Sequence, residues 1–180
     1  MGEWIDDSEI LEKLNQTRSV RGFLLKALEF IEQSIADLVE RVFQKDDYAV
    51  KYAVKPLLKS SGPLGDVNVR LKLIFGLGII SKEVYLDIEL MASLRERLNN
   101  DPQEYRFSDE ELLSELKKLH ALSDVSRAQL ANIIPLKEID PSNRAIYQAQ
   151  QEKVVHSAWI LSVITLYQSL HPSNSLLQAH

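Results

Sequence analysis

A chain of 180 residues with 45% hydrophobic and 26% charged side chains has the length and composition of one ordinary globular domain, able to hide roughly 70% of its unfolded surface. Having no cysteine, it makes no disulfide, thiolate metal site or thiol nucleophile, which leaves Asp, Glu and His as metal ligands. Its 21 Lys and Arg against 26 Asp and Glu give a net charge of −5, opposite to the basic balance that phosphate binding favours.

No basic arm or tail stands out: residues 1–60 carry nine basic and eleven acidic side chains, 61–153 carry twelve and fifteen, and 154–180 none. The N-terminal MGEWIDDSEI is acidic and lacks the basic-then-apolar order of a secretory signal, so the chain reads as cytoplasmic. Every long periodic segment reads as helix, and no period-2 run stands out. The expectation is a single all-α domain over residues 1–180, a bundle of about seven to eight helices.

Asp6 or Ser8 caps a short first helix carrying Ile10, Leu11 and Leu14. A longer second helix runs from about Ser19 to Phe43, because Val20, Phe23, Leu24, Ala27, Leu28, Ile31, Ile35, Leu38 and Val42 recur at spacings of three and four. A third starts near Lys45-Asp46-Asp47 and ends near Leu58, with Pro56 forcing a kink or early stop. The fourth, Val67 to Leu77, ends at Gly78; Ser81 caps a fifth, Lys82 to Leu98, which buries Val84, Leu86 or Ile88, Met91 and Leu94. Ser108 and Glu111 have the spacing of a capping box for a sixth helix reaching His120. Residues 121–140 read as irregular around a short helix from Asp124 to Ile133. Asp140-Pro141 then opens a long final helix to about His171. Its second half, from Val154, has no charge and is apolar at eleven of seventeen positions. A membrane span needs about 20 predominantly apolar residues, and this stretch is broken by His156, Ser157, Ser162, Thr165, Gln168 and Ser169. It reads as the partly or fully buried centre of a bundle, or as a helix whose spare face meets a second copy in a homodimer.

Chemistry-bearing patterns are sparse. His120, His156, His171 and His180 fit no metal-ligand spacing, and His156 reads as a core histidine. The clusters Asp6-Asp7, Asp46-Asp47 and Asp109-Glu110-Glu111 fall at helix starts, where the dipole accounts for them. There is no phosphate loop, no dinucleotide fingerprint and no G-x-S-x-G, so neither an enzyme nor a cofactor is expected. For nucleic acid, Lys51, Lys55 and Lys59 form a stripe at i, i+4, i+8 beside Tyr48 and Tyr52. That stripe reads as a solvated face, with Asp47 four residues before Lys51, or as a phosphate contact. Arg95-Glu96-Arg97-Leu98-Asn99-Asn100 has base-reading side chains but sits at a helix C-terminus, which repels phosphate. A helix-turn-helix over Gly78–Ser81 would turn Glu83, Asp87 and Glu89 toward the groove.

The run VFQKDDYAVKYAVKPLL from Val42, then GPLGDVNVRLKLIFGLG from Gly62, with Leu94-Arg95-Glu96-Arg97-Leu98-Asn99 and the helix start Ser19-Val20-Arg21-Gly22-Phe23-Leu24, closely resembles the bacterial mannitol operon repressor family over roughly residues 18 to 107. The resemblance implies an all-helical cytoplasmic protein that lowers expression of genes for mannitol uptake and utilisation. In the absence of a DNA-reading module, repression through a protein partner is the favoured mechanism: another regulator, the transcription machinery or a component of the sugar-uptake system. Direct operator binding is the alternative. The basic groups available for either partner in the matched region are Lys51, Lys55, Lys59, Arg70, Lys72, Arg95 and Arg97, with Asp66 and Arg70 also spaced for an internal salt bridge. Tyr48 and Tyr52 are the aromatic anchors for a protein interface, and Trp159 is better placed for the core.

Overall fold

The computed structural model describes residues 5–43, 48 and 50–171, with the side chains of Val50 and Lys51 outside the description. Among these residues the regular structure is entirely helical. Eight α-helices run in the order α1 (Asp7–Gln16), α2 (Val20–Val42), α3 (Lys55–Leu58), α4 (Val67–Gly76), α5 (Lys82–Asn99), α6 (Glu110–Lys118), α7 (Asp124–Ala131) and α8 (Arg144–Ser169). A π-helical turn, Val50–Val54, leads into α3, and a 3₁₀ turn, Leu136–Glu138, precedes α8.

Local chemistry sets most of these boundaries. Ser19, Ser81 and Ser123 accept from the third amide beyond them and so start α2, α5 and α7. Acidic residues fill the first turns of α1 and α6. The α4 stop uses both bonds of a Schellman closure, Ile79 N–H to the Ile74 carbonyl and Gly78 N–H to the Phe75 carbonyl, each 2.9 Å. Gly78 takes φ +70°, where a side chain would be strained.

Helices α2 and α8 are the two central elements. α2 buries Phe23, Leu24, Leu28, Ile31, Ile35 and Leu38, and α8 buries Val155, Trp159, Val163 and Leu166. α1, α4 and α5 pack on α2, while α1, α5, α6 and α7 pack on α8. The uncharged half of α8 is therefore apolar because it is surrounded within its own chain, with Leu161 left half exposed. No helix among the described residues is long and apolar enough to cross a membrane.

Four local expectations are corrected. The continuous third helix is a π turn followed by one α turn; Lys59, at φ −63° and ψ 153°, has left the helix, so the lysines do not share one α-helical stripe. Its expected start at Lys45-Asp46-Asp47 lies outside the described residues, as do Asp47's pairing with Lys51, and His180. Ser108 caps nothing: Asp109 precedes α6 and accepts from Arg106 N–H, while the amides of Phe107 and Ser108 donate to the Glu152 carboxylate, both at 2.8 Å. α8 begins at Arg144 because Asp140 closes a turn on Ser142 and Asn143 instead of capping a helix at Pro141. Asp66 accepts from Asn68 N–H as the cap of α4, and Arg70 reaches back along the chain to carbonyls, so the two do not pair.

Candidate partner-binding surface

The π turn Val50–Val54 and α3 form a short arm whose two helical turns pack chiefly on each other, with Leu58 set against the core. Its base is tightly wound. Gly62 N–H donates to the Lys59 carbonyl, Leu64 N–H to Leu57 and Gly65 N–H to Gly62. A Cβ at Gly62 would lie 2.5 Å from the Leu57 and Pro56 carbonyl oxygens, and one at Gly65 2.5 Å from that of Ser60, so this winding needs glycine at both positions. Arg70 then fastens the arm to α4: its Nε donates to the Leu64 carbonyl and its Nη2 to the Leu58 carbonyl at 2.7 Å.

What this base holds out to solvent is aromatic and basic. Tyr48 is 74% exposed and Tyr52 59%, with ring centroids 4.3 Å apart, and Lys55, Pro56, Leu57 and Lys59 are exposed beside them. Neither Lys55 nor Lys59 enters an ion pair among the described residues. Lys72 is exposed on the outer side of α4.

The remaining sequence candidates are engaged within the chain. Arg95 Nη2 lies 3.4 Å from Glu32 on α2, and Arg97 Nη2 lies 3.0 Å from Glu111 and 3.3 Å from Glu115 on α6. Asn99 and Asn100 line an open groove with Leu25, Asn68 and Ser93. Trp159 is a core residue, 1% exposed.

Three charged positions that sequence reasoning missed hold the frame together. Asp87, which the sequence reading considered only as an acid unfavourable to a helix-turn-helix, is 1% exposed; it accepts from the amides of His120 and Ala121 and from His120 Nδ1. Arg21 donates to the carbonyls of Leu98, Asp101 and Gln103, tying the start of α2 to the end of α5. Glu152 straps the segment before α6 onto α8. Nothing in the local sequence marks them, because each partner lies more than thirty residues away. One titrating site lies in that strap: Tyr105 donates to Asp101, which raises the phenol to about 12.

His156 stacks on Phe107 at 4.3 Å and meets Phe23 edge-on, with Nε2 buried and without a hydrogen-bond partner. Burial pushes its imidazole below the usual histidine range. It is a core histidine, as its place in the sequence indicates. No three His, Asp or Glu side chains among the described residues converge as a metal site.

The family model described as "Mannitol repressor" matches residues 6–171. The mannitol operon repressor of Escherichia coli K12 is 43% identical over 163 residues, covering 89% of this chain and 80% of that protein. Fumarase E of Shigella flexneri is 29% identical over 170 residues, covering 93% and 98%. The solved MtlR–HPr complex from Escherichia coli contains a chain that superposes with a TM-score of 0.80 at 42% identity, over 91% of this chain and 97% of that one. A family match across the whole bundle and a relative this similar lead to one conclusion: the chain belongs to the mannitol repressor family.

Proposed function

We propose that this protein is a cytoplasmic, non-enzymatic transcriptional regulator that lowers expression of mannitol uptake and utilisation genes by binding a protein partner. The observation that carries this reading is the similarity, at 42% identity and a TM-score of 0.80, to a repressor solved in complex with HPr. The proposed partner is accordingly an HPr. The chemistry agrees: a chain of net charge −5 is repelled by the phosphate backbone. Of the seven candidate basic groups, Arg95 and Arg97 face Glu32, Glu111 and Glu115, and Arg70 binds backbone carbonyls.

Direct operator binding is the second reading, favoured by the exposure of Lys55, Lys59 and Lys72. Fluorescence anisotropy of a labelled mannitol-operon promoter fragment, with a scrambled duplex beside it, separates the two at low and physiological salt. Phosphate contacts give an affinity that falls with salt at a slope of about −0.9 per phosphate neutralised. The expected outcome is no selective promoter binding at physiological salt, together with binding of Escherichia coli HPr by calorimetry. Tight, promoter-selective binding without HPr binding overturns the reading.

A further inference from the structure

We propose that His120 is a phosphoryl-acceptor site, with its Nε2 as the nucleophile and the buried Asp87 carboxylate as its positioning residue. The donor is of the phosphoramidate class, in which phosphorus is bonded to nitrogen. The proposal stands independently of the protein-partner reading above.

Three observations converge on this histidine. The first is its tautomer. Asp87 accepts from the amides of His120 and Ala121 at 2.9 and 2.8 Å, and the same carboxylate meets His120 Nδ1 at 2.8 Å. An ionised carboxylate only accepts, so the ring proton sits on Nδ1 and the lone pair of the neutral ring is on Nε2. The second is access. The His120 side chain is 49% exposed and that of Asp87 2%, so the ring is anchored from the interior and reaches solvent. His156, by contrast, has its Nε2 buried, and His171 is part-buried with its Nδ1 on the Tyr167 carbonyl. The third is charge. Lys117 and Lys118 precede His120 as exposed side chains, Lys118 also bonding Glu115, and Arg127 donates to the Lys117 and Leu119 carbonyls. Three cations this near suit a phosphoryl group that carries close to two negative charges.

In the transfer step the Nε2 lone pair forms a bond to phosphorus while the phosphorus–nitrogen bond of the donor breaks, its electron pair leaving on the donor nitrogen. The ring becomes cationic with Nδ1–H still bonded to Asp87, whose negative charge compensates it. Because the bond formed is of the same kind as the bond broken, this donor class makes the exchange close to balanced. The product adds a nearly dianionic group at the joint between α6 and α7.

The test incubates the full chain with phosphoramidate as the probe and reads phosphoryl uptake by intact mass, site mapping and phosphorus NMR. The expected result is a phosphoryl group on His120, at Nε2, gained about tenfold faster than by N-acetylhistidine in the same solution. His120→Gln is expected to lose that uptake. Asp87→Asn keeps an acceptor for Nδ1 but not the charge, so it is expected to give the same Nε2 isomer about tenfold more slowly, at a temperature where circular dichroism shows it folded. No uptake at His120, uptake at Nδ1, or a rate equal to that of N-acetylhistidine overturns the proposal. Reaction of folded Asp87→Asn at the wild-type rate overturns the part given to Asp87. The wild-type isomer and rate decide the proposal even if Asp87→Asn does not fold.

Discussion

Asp87→Asn is the substitution that best tests how this bundle is held together. The carboxylate is 1% exposed and receives three hydrogen bonds at 2.8–2.9 Å, from His120 N–H, Ala121 N–H and His120 Nδ1. Those bonds fix the joint between α6 and α7, where Leu119 and Leu122 enter the core. Arg127 braces the same joint through the Lys117 and Leu119 carbonyls. Asparagine keeps the volume but replaces one acceptor oxygen with a donor. In its better orientation the amide oxygen still serves His120, and the new NH₂ faces the Ala121 N–H. A bond to a charged group contributes about 1.5–3 kcal/mol, and a buried donor left unsatisfied costs about 1–3 kcal/mol. His120 is half exposed, so its ring contributes least. The sum is a loss of about 3 kcal/mol, or roughly 6–12 °C in melting temperature for a chain of this size. Urea titration followed by circular dichroism reads it as a shift in midpoint at constant slope. Glu96→Gln, at an exposed position of the same helix, serves as the control and is expected to stay within about 0.5 kcal/mol. A loss below about 1 kcal/mol for Asp87→Asn would refute the argument that this carboxylate anchors the joint.

The remaining predictions concern pH and the end of α4. Burial lowers the pKa of His156 and His171 below 6.5, so above that value both are neutral in the native and unfolded chains alike. As the pH falls through 6.5 the unfolded chain takes up protons that the native one does not, and stability is lost down to the native pKa values. The urea midpoint is therefore lower at pH 5.5 than at 7.5, and His156→Phe reduces the difference; an unchanged or higher midpoint on acidification contradicts the sign. A Cβ at Gly76 meets nothing within 4 Å, so Gly76→Ala is expected to stabilise by about 0.4–1 kcal/mol. Gly78→Ala, forced into φ +70°, should destabilise by about 1–2 kcal/mol, and equal melting shifts for the two alanines would show that the α4 stop does not depend on the left-handed residue.

Much of the architecture is written locally. The three-and-four spacing of Val20, Phe23, Leu24 and Ala27 specifies α2 and its buried face together, because an amphipathic helix has one stable way to face a core. Ser19, Ser81 and Gly78 mark helix ends through bonds to amides and carbonyls within five residues, so their meaning is complete in the local sequence. The family resemblance, too, is a property of the sequence alone. Segment sums of charge, by contrast, hid the basic arm, because Asp46 and Asp47 cancel lysines that lie beyond them in the chain.

What the tertiary structure decided is the use of each polar side chain. Arg70 and Asp66 have the spacing of a helical ion pair, yet one fastens a loop and the other caps a helix. Backbone groups without partners at chain turns compete successfully with a solvated carboxylate. Ser108 and Glu111 have the capping-box spacing, but Glu152, far along the chain, reaches the free amides first. The apolar half of α8 is ambiguous between membrane and core until α1, α2 and α5–α7 are seen around it. Periodicity along the chain determines which face of a helix is apolar. Which distant groups meet a given carboxylate or guanidinium depends on how the helices pack, and that information is spread over the whole sequence.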